Sequence, residues 1–396
     1  MTNTPPSSAT LTTAEAEPGP PAFMVGDIPI RNRVLCAPIC GATKIPYRRL
    51  VSRYGADLTW TEMIKAEALV RHTPKSFELA KIDEGETPVG AQICGADPEK
   101  MATSARMLRE LGFHTIDINM GCPVPRVVKE GAGAALMKSP ELVEKVVRAC
   151  VDAVDVPVTI KIRSGWTKDQ ANAVDVSRAA EQGGAQMVSI HGRARSQRHQ
   201  GDLDFGKMAA VKHAVSIPVV GNGGIFAPQD AVRMIRETGC DAVMIARGGY
   251  GRPWFFRDVA RAIKGLEPGP EPDAEELGGI LRMHLRRTVE ILGEPIGVRS
   301  FRKICSWYFK DKPYGTYFRD MAFRATLESQ LAEVVEAWIE HYHVCRDYTG
   351  GHDRPPPPEI VKQLMDGPRA DWMDRPARRQ EREPIDPLKA KTCAEL

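Results

Sequence analysis

The sequence lacks the cysteine pairs that a disulfide framework or a structural zinc site would need. It holds nine cysteines among 396 residues, and none of them lie in a Cys-x-x-Cys pair. Cys36 and Cys40 have a loose metal-like spacing but no matching second pair, so we expect no bound metal. Most of the cysteines should therefore be small buried hydrophobic residues.

Long apolar runs and a large charge imbalance are missing as well. No run is long enough to span a bilayer, and residues 1–22 lack the basic start and apolar middle of a secretory signal. The net charge is only +3, which by itself indicates no particular partner. These absences favour a cytoplasmic protein without membrane contact, and nothing in the sequence implies a stable protein partner.

The two ends of the chain differ in composition from the middle. Residues 1–22 are rich in Thr, Pro, Ser and Ala, whereas residues 347–396 contain the run Pro355–Pro358 and a charged stretch. Such compositions are typical of disordered chain. We therefore predict disordered tails over 1–22 and 347–396, with folded domains over 23–268 and 269–346.

Between residues 23 and 268, short β-rich runs alternate with stretches of helical pattern. The eight candidate strands are Arg33–Ala37, Asp57–Glu62, Val89–Cys94, Thr115–Asn119, Val158–Arg163, Met187–His191, Val219–Asn222 and Ala242–Ala246. Several intervening helices begin with Pro in their first turn, among them Pro98–Leu111, Pro140–Ala153 and Pro228–Thr238. Eight evenly spaced βα units predict an α/β fold of the (β/α)8 TIM-barrel type, with an open doubly wound sheet as the alternative.

From residue 269 to 346 the strand signal disappears, and the pattern predicts a small C-terminal helical bundle. Helical periodicity covers Glu275–Leu292, Val298–Lys310 and Leu327–Tyr342. Residues 281–320 hold nine Lys/Arg against four Asp/Glu, a local net charge of +5, interleaved with aromatic residues. This mixture suits RNA, whose bases stack on aromatic rings while its phosphates meet cations, but it also suits a helix core with basic edges.

Polar residues at the predicted strand ends indicate where a cofactor would bind, because barrel active sites lie at the C-terminal ends of the strands. Alternation places Lys161 and Arg163 on one inward face, where two cations favour an anionic or electron-rich ligand. His191, at the end of the next strand, is predicted to contact a cofactor ring. Gln92 could bond the polar edge of a ring, although such a residue is more often a satisfied core group.

The fourth predicted strand runs into Asp117-Ile118-Asn119-Met120-Gly121-Cys122-Pro123. Gly121 permits a tight bend, and Pro123 cannot extend a helix backward. Cys122 is therefore predicted to lie at a loop tip in the barrel mouth. A cysteine in such a loop is structural more often than catalytic, but among these neighbours we favour the catalytic interpretation.

Glycine-rich loops follow the last two strands, at Asn222-Gly223-Gly224 and at Ala246-Arg247-Gly248-Gly249. In this fold such loops bind phosphate through their backbone N–H groups. The chain has no Rossmann fingerprint and no P-loop. We therefore predict a monophosphate cofactor rather than a dinucleotide or a nucleoside triphosphate.

Taken in order, the motifs APxxGxT, TEM, DINMGCP, KIR, HGR, NGG and ARGGYGRPW resemble those of the tRNA-dihydrouridine synthase family, its bacterial B-type members in particular. The resemblance spans roughly residues 23–345. It implies an FMN-containing barrel, a helical tRNA-binding domain and NADPH as reductant. It assigns FMN contacts to Pro38, Ile39, Cys40, Gln92, Lys161, His191, Asn222, Gly223, Gly224, Ala246 and Arg247. Gly224 departs from the family, which commonly has Asp or Glu there.

The resemblance also implies a reaction, the reduction of the uridine C5=C6 bond in tRNA to 5,6-dihydrouridine. Hydride would pass from FMN N5 to C6, Cys122 would protonate C5, and Asn119 would contact the target base. Arg302 and Lys303 of the helical domain fall within the resemblance as RNA contacts, and position adds Arg163, Arg193 and Arg195 as candidates for holding the base or its phosphates. The alternative is an FMN-dependent barrel reductase of a free pyrimidine or enone, which leaves the basic helical domain unexplained.

Overall fold

The computed structural model describes residues 20–312 and 315–346, and both predicted tails lie almost entirely outside this part of the chain. The described residues form two compact units. Of the described residues, the first unit contains 20–249 and 253–269, and the second contains 250–252, 270–312 and 315–346. Within the described residues, no helix is both long enough and apolar enough to cross a membrane.

A short antiparallel hairpin opens the first unit. Its strands are β1 (Phe23–Val25) and β2 (Ile28–Ile30), joined by a two-residue loop in which Gly26 has a φ of 59°. Two-residue hairpin loops need positive φ values, which glycine adopts without strain. The sequence analysis missed this hairpin, because three residues on each side are too few to show a clear alternation.

Nine further strands follow in one parallel sheet. They are β3 (Val34–Cys36), β4 (Thr59–Trp60), β5 (Ile64–Lys65), β6 (Val89–Cys94), β7 (Thr115–Met120), β8 (Val158–Arg163), β9 (Val188–His191), β10 (Val219–Asn222) and β11 (Ala242–Ile245). The sheet runs in the order β3-β11-β10-β9-β8-β7-β6-β4, and β5 pairs with β6 beyond β4. Bonds from Cys36 N to Leu58 O (3.0 Å) and from Asp57 N to Val34 O (2.8 Å) join its two ends. The predicted (β/α)8 barrel is confirmed.

Helices alternate with these strands. They are α1 (Ile45–Arg53), α2 (Ala66–Val70), α3 (Pro74–Leu79), α4 (Pro98–Glu110), α5 (Pro125–Lys129), α6 (Pro140–Val151), α7 (Ala173–Gln182), α8 (Phe205–Ala214), α9 (Pro228–Thr238) and α10 (Phe255–Ile263). The three helices predicted from a first-turn proline are present as α4, α6 and α9. One strand differs from the prediction: the run expected over Asp57–Glu62 is a strand only at β4, and a further short strand, β5, follows it and pairs with a different part of β6.

The barrel has two apolar regions, one between its strands and helices and one inside the strands. The inner region contains Leu35, Leu58, Trp60, Val220 and Met244, and the hairpin residues Val25, Ile28 and Ile30 pack against it. A Cβ on Gly26 would lie 2.3 Å from Pro157, which directly precedes β8. The hairpin therefore covers the N-terminal end of the barrel, and the C-terminal end is the one that carries polar side chains.

The second unit is helical, as predicted. Its helices are α11 (Ala274–Leu292), α12 (Glu294–Tyr308), α13 (Gly315–Arg324) and α14 (Glu328–Arg346). The sequence pattern predicted α11, α12 and α14 but not the short α13. Four of the aromatic residues considered for RNA stacking are buried in the core of this unit: Phe301, Tyr308, Phe309 and Phe318. For these residues the helix-core interpretation is correct.

Candidate active site

The C-terminal half of the barrel interior is polar. Alternation along each strand turns every second side chain inward. Beyond the apolar inner region, these inward positions carry Gln92, Asp117, Asn119, Thr159, Lys161, Arg163, Ser189, His191 and Asn222. The sequence analysis placed six of these residues in the site and gave no role to Asp117, Thr159 or Ser189.

The polar side chains of β6, β7 and β8 form one hydrogen-bonded group. Asp117 accepts hydrogen bonds from Gln92 Nε2 and from Thr159 Oγ1, both at 2.7 Å. Gln92 Oε1 in turn accepts one from Asn119 Nδ2 at 2.9 Å. Burial raises the pKa of the Asp117 carboxyl to about 6, while its hydrogen bonds and the charge of Lys161 oppose the shift. Asp117 is therefore mostly ionised at neutral pH.

Cys122 lies just after β7, in the loop that leads to α5. Asn119 Oδ1 accepts hydrogen bonds from the backbone N–H groups of Gly121 (3.1 Å) and Cys122 (2.9 Å). Gly121 does not have a positive φ, and an added Cβ would meet only ordinary contacts at 3.5 Å. The Asn119 side chain, rather than glycine flexibility, thus shapes this loop. Burial raises the pKa of the Cys122 thiol, which keeps it protonated at neutral pH.

Lys161 points into the barrel between Asp117 and Asn222. Its Nζ donates a hydrogen bond to Asn222 Oδ1 at 3.0 Å, and Asn222 Nδ2 donates to Met244 O at 2.7 Å. Burial lowers the pKa of Lys161 to about 8; the charge of Arg163 adds to this shift, and that of Asp117 opposes it. A half-buried ammonium with one neutral acceptor is a ready partner for an anionic or electron-rich ligand.

Arg163 braces two loops of the barrel mouth. Its Nε donates to Gly121 O at 2.7 Å, and its Nη1 donates to Ala194 O (3.2 Å) and Arg198 O (2.7 Å). The sequence analysis expected this guanidinium to hold the base or its phosphates. In the structure, the guanidinium donates hydrogen bonds to backbone carbonyls on either side of the mouth. It therefore links the Cys122 loop to the loop after β9.

His191 is a neutral donor at the end of β9. Its Nδ1 accepts a hydrogen bond from Arg193 N at 3.1 Å, so the ring proton lies on Nε2. Burial and four nearby basic groups lower its pKa well below the usual value. His199, which the sequence analysis missed, stands with its ring centroid 6.0 Å from that of His191, and its pKa is lowered to about 4, chiefly by burial. No motif in the sequence marks His199.

The two glycine-rich loops have tight backbone geometry. Gly223 and Gly224 have φ values of 114° and 65°, and a Cβ on either would lie within 3 Å of Leu203. A Cβ on Gly248 would lie 2.1 Å from Ile225 O. Larger residues would close these loops, whereas glycine leaves backbone N–H groups accessible to an anion. Gly224 thus has a left-handed conformation that glycine adopts without strain, at the position where the family commonly has an acidic residue.

The remaining predicted residues of the barrel lie around the same mouth. Pro38 and Ile39 are half-buried and Cys40 is exposed in the loop after β3, while Ala246 and the exposed Arg247 follow β11. Arg193 Nε donates to Gly201 O at 2.8 Å. The pKa of Arg193 is lowered, first by burial and then by the charge of Arg247. The Arg195 guanidinium lies 4.4 Å from the ring centroid of Trp166.

Arg302 and Lys303 belong to α12 of the helical unit. Lys303 is exposed, and its Nζ lies 5.6 Å from the ring centroid of Trp307. Arg302 is half-buried, and its pKa is lowered by burial and by Arg299. Within its unit, the Trp307 ring stacks on that of Tyr250 with centroids 4.1 Å apart.

A parallel (β/α)8 barrel with titratable side chains and a protonated thiol at the C-terminal ends of its strands is the architecture of a barrel enzyme. The family model that matches this chain is dihydrouridine synthase (Dus), over residues 35–342. The chain belongs to this family.

Individual relatives agree with the family match. The chain is 39% identical to tRNA-dihydrouridine synthase B of Vibrio vulnificus over 80% of its own length and 98% of that protein. It is 41% identical to tRNA-dihydrouridine synthase B of Pseudomonas aeruginosa over 80% of its own length and 96% of that protein. The match therefore includes both the barrel and most of the helical unit.

Proposed function

We propose that this protein is a tRNA-dihydrouridine synthase, which reduces the C5=C6 bond of uridine in tRNA to 5,6-dihydrouridine with FMN as cofactor and NADPH as reductant. The observation that carries the proposal is Cys122, a thiol held protonated at the mouth of a barrel that belongs to the dihydrouridine synthase family. The names of the relatives supply tRNA as the substrate class. We expect the reaction in the cytoplasm, where tRNA is available.

The residues at the barrel mouth fit FMN. Its phosphate suits the glycine loops at Gly223–Gly224 and after Ala246, where added Cβ atoms would fill the space, with Arg247 as a nearby cation. Its ring edge suits the donors Lys161 Nζ, His191 Nε2–H and the second proton of Gln92 Nε2. Asn222 would orient Lys161, and Pro38, Ile39 and Cys40 would line the ring. When bound, FMN would supply the hydride that reaches C6 of the uracil.

The protein's own part in the chemistry is the proton for C5. A thiol with a raised pKa keeps its proton until the base is in place, which is what a general acid requires. Cys122 Sγ would donate that proton to C5 as C6 receives hydride, so that two hydrogens add across the double bond. Lys161, as a cation, would stabilise negative charge on the reduced cofactor ring.

RNA contacts would come from both units. The second proton of Asn119 Nδ2 is available to the target base, and Arg163 Nη2, Arg193 and Arg195 would meet the base or its phosphates. Arg302 and Lys303 would contact tRNA from the helical unit. The target uridine must leave its stack to reach Cys122, so we expect base flipping.

The test compares the parent protein with Cys122→Ala and with Cys150→Ala, a matched control on α6 that is buried outside the mouth. Each is incubated with NADPH and tRNA lacking dihydrouridine, and mass spectrometry of the digested tRNA measures the gain of two hydrogens at uridine. We expect product with the parent and with Cys150→Ala. With Cys122→Ala we expect at least about 100-fold less product.

Two other results would contradict parts of the proposal. Equal product from Cys122→Ala would remove Cys122 as the acid. A parent that binds FMN and oxidises NADPH, yet leaves every tRNA unchanged, would make a free pyrimidine or enone the substrate instead.

A further inference from the structure

We propose that Asp117 is a positioning residue for proton transfer by Cys122, acting through the side-chain amides of Gln92 and Asn119. The inference rests on the proposed function, because it takes Cys122 as the proton donor. Asp117 is 1% exposed, lies inside the barrel beneath the mouth, and is a position to which neither the motifs nor the proposed mechanism gives a role.

A continuous line of hydrogen bonds joins Asp117 to the Cys122 loop. It runs from Asp117 Oδ2 to Gln92 Nε2 (2.7 Å), then from Gln92 Oε1 to Asn119 Nδ2 (2.9 Å). Asn119 Oδ1 then accepts the N–H of Cys122 at 2.9 Å. Neighbouring strands hold the members in place, since Gln92 pairs in register with Asp117 on β7. We call this line the Asp117 relay.

The relay has a fixed direction. An ionised carboxylate only accepts hydrogen bonds, so Gln92 must turn its NH2 group toward Asp117 and its oxygen toward Asn119. Asn119 must then turn its NH2 group toward Gln92 and its oxygen toward the loop. The backbone N–H groups at the far end only donate, and they demand the same orientation. The charge on Asp117 and the backbone N–H groups thus favour the same orientation from opposite ends of the relay, so Asp117 adds stability to the arrangement in which an acceptor faces Cys122.

This direction matters because Asn119 Oδ1 is one of the main supports of the Cys122 loop, together with the hydrogen bond from Ala134 N to Cys122 O at 3.1 Å. Gly121 takes no special backbone conformation, and the loop before α5 is held by Asn119 Oδ1 on one side and by the Arg163 bond to Gly121 O on the other. A flipped Asn119 amide would present N–H groups to the N–H of Gly121 and Cys122. The loop would then move, and a displacement of about 1 Å at a reacting group can lower a rate about 100-fold.

An ionised carboxylate at this buried position is energetically unfavourable unless it is supported by neighbouring groups. Burial disfavours its ionised form and raises its pKa. The barrel offsets this cost with two hydrogen bonds and with the charge of Lys161. A buried charge that is supported in this way, directly below two residues of the site, is consistent with a role in orienting them.

The experiment measures two properties of Cys122 in Asp117→Ala, Asn119→Ala and the double variant. The first is the single-turnover rate of uridine reduction by the pre-reduced holoenzyme with tRNA. The second is the rate of Cys122 alkylation by iodoacetamide without tRNA, followed by intact-protein mass spectrometry. Thr115→Val is the control, because Thr115 is a buried residue of the same strand whose hydroxyl bonds Pro157 O outside the relay.

We expect Asp117→Ala to lower the single-turnover rate about tenfold or more and to raise alkylation about threefold or more, since a released loop exposes the thiol. Thr115→Val should stay within about twofold of the parent in both measurements. The double variant should match Asn119→Ala in the alkylation rate, because Asp117 is proposed to reach Cys122 only through Asn119, and coupled residues give non-additive effects.

Asp117→Asn covers the case in which Asp117→Ala does not fold. It keeps the shape but lets an amide N–H face Gln92, so it should slow turnover by less than Asp117→Ala and raise alkylation in the same direction. The proposal is overturned if Asp117→Asn and Asp117→Ala both behave like Thr115→Val, or if the effects of Asp117→Ala and Asn119→Ala on the alkylation rate simply multiply. The alkylation result stands even if no tRNA is reduced, which separates failure of the relay from failure of the proposed function.

Discussion

The strands of one parallel sheet build two unlike halves of the barrel interior. Toward the N-terminal end, inward side chains such as Leu35, Trp60 and Val220 form an apolar region that the β1–β2 hairpin covers. Two residues further along the strands, the inward positions carry Asn222, Lys161 and their neighbours, joined by hydrogen bonds. One half therefore contributes burial of apolar surface, and the other holds charges that burial disfavours.

We therefore expect a division between the two halves, in which the apolar half mainly stabilises the fold and the polar half mainly binds the ligand. On a strand that contributes to both halves, their inward side chains are two residues apart, so the same backbone supports both. Substitutions in the apolar half should change unfolding and spare the ligand, and substitutions in the polar half should do the reverse. The following experiments test this division, from the largest expected effect to the smallest.

Trp60→Ala should lower the free energy of unfolding by about 3–5 kcal/mol, because it removes a large buried side chain from the inner apolar region. The FMN dissociation constant should stay within about twofold of the parent's under conditions where the variant is folded. Urea unfolding and FMN fluorescence titration measure the two effects, with Trp60→Phe as a milder control. Strongly weakened FMN binding by Trp60→Ala would contradict the division.

Lys161→Met should show the opposite pattern. Loss of a half-buried charged donor should weaken FMN binding by about 10- to 100-fold, a range that corresponds to about 1.5–3 kcal/mol. The free energy of unfolding of the protein without FMN should be unchanged or higher, because a half-buried cation with a lowered pKa is replaced by an apolar side chain of similar length. A variant that binds FMN normally but unfolds easily would contradict the prediction.

The pH dependence at Lys161 should separate the affinity for FMN from the stability of the protein without FMN. The pKa of Lys161 is lowered to about 8. Burial and the charge of Arg163 lower it, and the charge of Asp117 opposes them. FMN binding, which favours the ammonium, should therefore weaken as the pH rises through about 8.

The stability of the protein without FMN should change in the opposite direction. Between about 8 and the ordinary lysine pKa of 10.5, the unfolded chain binds more protons at Lys161 than the folded chain does. The contribution of this group to the free energy of unfolding therefore rises with pH in that window. FMN titrations and urea unfolding over the same pH range measure both slopes, and the contribution of Lys161 to each slope should be absent in Lys161→Met.

The smallest effect is expected at the helical unit. Lys303→Ala should weaken tRNA binding by a few-fold and reduce the slope of log affinity against log salt by about 1, because one exposed cation is lost. FMN binding should not change. Lys145→Ala, which removes an exposed lysine from α6, is the control and should leave the salt slope as in the parent. An unchanged salt slope in Lys303→Ala would remove this residue from the RNA contact.

Much of the fold followed from the sequence alone, because local patterns carry it. Eight apolar runs separated by helices with first-turn prolines predicted the barrel, and the period of two predicted that Lys161 and Arg163 share its inward face. The motif order predicted the family that the comparisons show. The hairpin and α13 were missed, because each is too short for its periodicity to be recognised.

Only the tertiary structure decided which partner each inward side chain meets. Alternation could place Asn119 and Asp117 on one face, but the register of β6 against β7 brings Gln92 between them. In the same way, Arg163 reaches carbonyls about 30 to 40 residues away in the chain, and His199 comes beside His191 from a loop. These contacts depend on how the sheet closes, and hydrogen bonds between distant segments leave no local pattern in a single sequence.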